Sequence, residues 1–197
     1  MSRFICNING KPIMQAEDGS IQYLTELCID ADGSPRAYGP HGQGLDYLEN
    51  AGHPGNWWGI VTDQEGYPVL QGQDDPAPGY YISTTSLQHS DYATNDPRRY
   101  INSEEVPFIV VPGPIARMCT GIVLGCRAEI LNQFTGAKVS CVVADLGPAS
   151  HLGEASIAAA RELGINFDPK TGGSSSKDFR YTFWPGKAAP GFNLQRL

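Results

Sequence analysis

The sequence predicts a mainly β protein with a closed or nearly closed barrel, on three observations. Apolar residues fall in short runs separated by turn formers, as strands do. Glycine (23) and proline (15) are abundant in the 197 residues, which favours short elements joined by many turns. One segment alone, near residues 153–163, combines helical spacing of apolar residues with a terminal glycine, the signature of a helix and its cap. Many strands and one principal helix are the ingredients of a small barrel with decorating loops.

The elements follow in order. Residues 1–28 read as short strands or an extension of unassigned role, and residues 29–197 as the main domain, within one domain overall. GSIQYLTELCID (19–30) partly alternates and ends in the acidic turn Asp30-Ala31-Asp32-Gly33. Residues 33–55 are loop-like, with a helical turn in LDYLENAG. WWGIVTD (57–63) and YPVLQG (67–72) flank Gln64-Glu65-Gly66 and predict a hairpin. YYISTTSL (80–87) is a strand after a proline-rich loop, and 88–103 is polar surface. VPFIVVP (106–112) is apolar throughout and reads as a buried strand. IVLGCRAEILNQ (122–133) and AKVSCVVAD (137–145) form a second hairpin about Phe134-Thr135-Gly136. A helix is expected from about Gly153 to Leu163, capped by Gly164. FDPKTGGSSSKD is a surface loop, and RYTFWPG (180–186) a last strand.

The net charge of −7 disfavours nucleic acid, whose phosphates require a basic surface, and suits a cationic ligand. Five cysteines without a C-x-x-C pair, and four histidines without ligand spacing, argue against a zinc site or a complete disulfide framework. No apolar run reaches the roughly 20 residues of a membrane span, and no signal peptide is visible at the N-terminus.

The chemistry concentrates in VVADLGPASHLGEASIAAARELG (142–164). Asp145 is expected at a strand end among apolar residues, where lost hydration favours its protonated form. Glu154 is expected in the first turn of the helix, where the dipole favours its charge. Such a pair suits a general acid and a general base. The plainer readings are a turn aspartate and a dipole-stabilising surface glutamate. Asp30-Ala31-Asp32-Gly33 lacks the ligand positions of a calcium loop and reads as a turn, or as a subsite for a sugar amine. Trp57 and Trp58 should face opposite sides of a strand. They, Tyr80, Tyr81 and Trp184 are core residues or sugar platforms. Ser83, Thr84 and Thr85 offer hydroxyls, but no G-x-S-x-G elbow is present.

The segments IDADGSPRAYGP, GLDYLENAGHPGNWWGIVTD, DDPAPGYYISTTSL, DPRRYINSEEVPFIVVP, VVADLGPASHLGEASIAAARELGI and FWPG together resemble glycoside hydrolase family 75, the chitosanase family. The resemblance covers about Ile29 to Gly186. It implies an endo-acting, inverting hydrolase of β-1,4 linkages in chitosan, without metal or cofactor. Asp145 would be the general acid and Glu154 the general base. Inversion implies carboxyls on the order of 6.5–9.5 Å apart. Family members are often secreted. Substrate contacts are expected from Asp30, Asp32, Asp46, Trp58, Tyr81, Thr84 and Thr85, in a monomer that takes a cationic polysaccharide. More locally, VVADLGP followed by a helix looks like the double-psi β-barrel of bacterial cell-wall proteins, which implies a six-stranded core. The alternatives are a peptidoglycan-cleaving barrel enzyme and a non-catalytic carbohydrate-binding module.

Overall fold

A computed structural model describes residues 2–195. Its strands are β1 (Arg3–Ile8), β2 (Lys11–Gln15), β3 (Ile21–Asp30), β4 (Gly52–His53), β5 (Asn56–Trp57), β6 (Phe108–Pro112), β7 (Cys126–Asn132), β8 (Lys138–Gly147), β9 (Glu154–Ser156) and β10 (Ser174–Ala188). Its α-helices are α1 (Gly113–Met118) and α2 (Ile157–Glu162). The expected six-stranded barrel is present. Strands pair in the order β3-β10-β7-β8-β6-β9, and β9 returns to β3 to close the ring. β3–β9 and β6–β8 are parallel, and the other pairs of the ring are antiparallel.

Closure leaves no barrel edge unpaired, and it explains the sequence pattern. All five residues of β6 are buried, as the unbroken run FIVVP requires. β7 alternates, with Cys126, Ala128 and Ile130 inside and Arg127 outside. Phe108, Ile109, Ile130, Val143, Tyr181 and Phe183 have no measurable exposure, and each contributes about 1.5–3 kcal/mol by burial. Tyr23 stacks on Tyr181 with ring centroids 5.1 Å apart. β3 runs through residue 28, and the β1–β2 hairpin extends the sheet from it. The N-terminal extension is thus continuous with the barrel sheet.

The second hairpin, β7–β8, stands where the sequence placed it, with Leu131 opposite Lys138 beside the turn. The first is less regular. Val69 N–H reaches Val61 O at 2.9 Å, and Asp63 and Tyr67 close the turn. The two arms otherwise meet at isolated bridges such as Thr62–Pro68, because a proline removes a ladder donor. These arms belong to an irregular lobe between β3 and β6. Tyr38, Ala51, Ile60 and Ile157 form a small core beneath it.

The helix expected from Gly153 is shorter. Gly153 takes φ +104, and Glu154–Ser156 form β9 between β3 and β6. Ser156 ends the strand and caps the helix. Its Oγ accepts from Phe108 N at 2.9 Å and from Ala159 N, and donates to Val106 O. The local period of 157–163 is helical, but the strand pairings win upstream. α1, six residues opening on Gly-Pro, carries no apolar period and was not anticipated. No helix among the described residues is long and apolar enough to cross a membrane.

Candidate active site

One face of the barrel mouth and the irregular lobe enclose a cleft of about 490 Å³. Asp145 enters from β8, Glu154 from β9, and Asp30 from the end of β3. Asp32, Asp46 and Trp58 enter from the lobe. A further compartment of about 520 Å³ shares Asp32, Trp58 and Asp145, and runs past Thr84 and Thr85. The structure thus gathers eight of the nine expected site residues on one continuous cleft. Tyr81 lies apart, in a neighbouring groove.

Asp145 is buried at the point where β8 leaves the core. Its Oδ1 accepts from Ser86 N at 3.0 Å, from Ser86 Oγ, and from Leu146 N at 2.7 Å. These donors favour the carboxylate, yet burial outweighs them and lifts the pKa to about 6. With Oδ1 engaged by three donors, Oδ2 is the oxygen available to carry a proton.

Glu154 differs from the sequence expectation. It sits on a strand, not in a helical turn, so no helix dipole favours its charge. Burial raises its pKa, and His151 opposes that rise. His151 Nδ1 lies 3.5 Å from Glu154 Oε1. The other oxygen faces the bare Cα of Gly147: a Cβ there would stand 2.7 Å from Oε2. Both carboxyls are therefore shifted upward. What separates them is the partner: three neutral donors at Asp145, an imidazole at Glu154.

Asp30, Asp32 and Asp145 each bring an oxygen within 4.8 Å of the other two. Asp30 is pushed well above the usual carboxylate range by burial and by Asp32 and Asp145. Asp32 is raised likewise, by burial and Asp145, although Tyr38 Oη donates to its Oδ1 at 2.6 Å. Three carboxyls at this spacing repel as anions, so they hold protons or attract a cation. An ammonium or a metal ion would both answer that demand. Asp46 is buried with both oxygens engaged, by Tyr47 N at 2.7 Å and Asn50 Nδ2 at 2.8 Å.

Trp58 exposes 58% of its surface over the cleft, its Nε1 anchored on Asn50 O at 2.9 Å. Trp57 is half-buried against the small core, as alternation along a strand requires. Thr85 is buried. Its hydroxyl donates to Leu87 O and accepts from Ile101 N, so it is a structural tie. The residue that reaches Asp145 is its neighbour Ser86. Ser86, Tyr38 and His151 were not singled out as site residues by sequence. For Ser86 the hydroxyl run from Ser83 onward was the available signal. No protein-family model matches the chain, and no curated protein matches it.

Proposed function

We propose that the chain is an endo-acting glycoside hydrolase of the chitosanase type, cleaving β-1,4 linkages between cationic amino sugars with Asp145 as general acid and Glu154 as general base. The observation that carries the reading is the pairing of a buried Asp145, with its pKa near 6, and Glu154 in one cleft with the Asp30/Asp32 cluster. A protonated Asp145 Oδ2 donates to the leaving glycosidic oxygen. Glu154, whose upward shift by burial His151 partly offsets, takes a proton from the attacking water in its ionised form. Asp30 and Asp32 receive the substrate ammonium, whose charge replaces the protons that burial forces on them. Trp58 offers a flat face to a sugar ring.

The test is mutational. Asp145→Asn and Glu154→Gln should each lower reducing-end release from chitosan by at least about 100-fold, with unchanged circular dichroism. Activity within a few-fold of the parent in either variant overturns the assignment. Anhydro-muropeptides released from purified sacculi would instead favour the peptidoglycan reading. Saturable glycan binding without product would favour the binding module.

A further inference from the structure

Beside the acid cleft lies a groove of about 830 Å³ bounded by Trp57, Tyr67, Tyr81, Pro68 and Glu65. Its most prominent side chain is Tyr67, 69% exposed. Exposing a large ring is unremarkable on a mobile loop, but this ring stands on a fixed turn. Tyr67 N–H donates to Asp63 Oδ1 at 2.8 Å, Asp63 N–H returns to Tyr67 O at 2.9 Å, and Glu65 N–H joins the same Oδ1. Pro68 fixes the next φ. A ring on such a turn binds without the cost of ordering its backbone.

The groove also adjoins the second compartment of the cleft. Thr62 lines both the groove and the Thr84 compartment, and that compartment shares Trp58 and Asp145 with the acid cleft. Adjacent Trp57 and Trp58 face opposite ways, one ring to each side of the lobe. The three spaces thus border one another in order, from Glu154 past Asp145 and Thr84 to Thr62 and Tyr67. Exposed aromatic rings spaced along this path, Trp58 and Tyr67, suit a polymer of flat-faced units, since the C–H faces of sugars stack on aromatic rings. Glu65, exposed at the groove edge, adds the charge that an amino sugar seeks.

We propose that this groove is a distal subsite for a β-1,4-linked amino-sugar chain whose other end occupies the acid cleft. The inference rests on the reading of the cleft as a chitosan site, and it adds a chain-length preference to it. The enzyme should bind long chains more tightly than short ones, through contacts far from the reacting bond.

The test uses the Glu154→Gln variant, so that chains stay intact, with glucosamine dimer and octamer as probes. The octamer should shift the NMR signals of the Trp57 indole and the Tyr67 ring, whereas the dimer should shift only cleft signals such as His151 and Trp58. Adding Tyr67→Ala should weaken octamer binding by about ten-fold and leave dimer binding unaltered. Adding Glu65→Gln should weaken the glucosamine octamer but not a neutral β-1,4-glucan of equal length. If the octamer shifts the cleft signals alone, or if Tyr67→Ala binds it as tightly as the parent, the distal subsite is overturned and the cleft reading stands. If neither probe shifts any cleft signal, the cleft reading fails and the subsite fails with it.

Discussion

Asp145 and Glu154 are set apart by their partners more than by their depth. Ser86 stabilises the Asp145 carboxylate and so restrains the rise that burial imposes. Removing its hydroxyl in Ser86→Ala should push the Asp145 pKa above 6, because a donor to the charged form is lost. The high-pH limb of hydrolysis, set by deprotonation of the acid, should then move upward. His151→Ala removes the neighbour that offsets the upward shift of Glu154. Its pKa rises, and the low-pH limb, set by protonation of the base, also moves upward. A pH–rate profile of each variant checks both shifts, and a limb moving downward would contradict the assigned roles. Sequence made both acids visible, because Asp145 ends an apolar run and Glu154 opens a helical one. It could not show His151 beside Glu154, since that contact depends on the path of the loop through Gly147 and Gly153.

At the scale of elements, the site depends on how β8 and β9 flank β6. Gly147 ends β8 opposite Pro112 of β6. A Cβ at Gly147 would meet Glu154 Oε2 at 2.7 Å and Val110 Cγ1 at 2.9 Å. Gly147→Ala should therefore displace Glu154 and cost about 1–3 kcal/mol of stability by overpacking. A chemical-denaturation midpoint and the chitosan rate would be measured together. Full stability with full activity would show that Glu154 does not lean on Gly147. Most elements were legible because burial imposes their pattern: FIVVP in β6, the alternation of β7, the turn at Phe134-Thr135-Gly136. The start of α2 was not. Glu154–Ser156 has a helical neighbourhood in sequence, but its backbone groups are claimed by β3 and β6. That preference comes from strands more than 40 residues away along the chain, and no local period records it. The lobe was half legible: its turns were marked by glycine, proline and aspartate, while its bridges depend on long-range packing.

For the whole molecule, the acid cluster ties stability to pH. Asp30, Asp32 and Asp145 all bind a proton more readily in the fold than in the open chain. Between roughly pH 4 and 6 these carboxyls hold more protons in the fold than in the open chain, so their contribution to stability falls as pH rises through that window, while Glu26 and Glu104, shifted down by Lys11 and Arg36, contribute in the opposite direction. For Asp145, the rise from 3.8 to about 6 amounts to about 3 kcal/mol that is present at pH 4 and lost above pH 6. Asp32→Asn keeps an acceptor for Tyr38 while removing a charge. It should raise the melting temperature at pH 8 and change it little at pH 4. An equal gain at both pH values, or a loss at pH 8, would contradict a strained cluster. A cation binding among these carboxylates should stabilise in the same direction, which links the barrel mouth to a cationic ligand. The net charge of −7 already pointed to such a ligand, but only the fold brings residues 30, 32 and 145 together.

The central claim is direct attack by water on a β-1,4 amino-sugar linkage between Asp145 and Glu154. Proton NMR of chitosan during the first minutes of hydrolysis tests it most directly, because the anomer that forms first records the stereochemistry. The expected result is the α-anomer, equilibrating slowly to the mixture. Initial appearance of the β-anomer, or no new reducing ends, would contradict it.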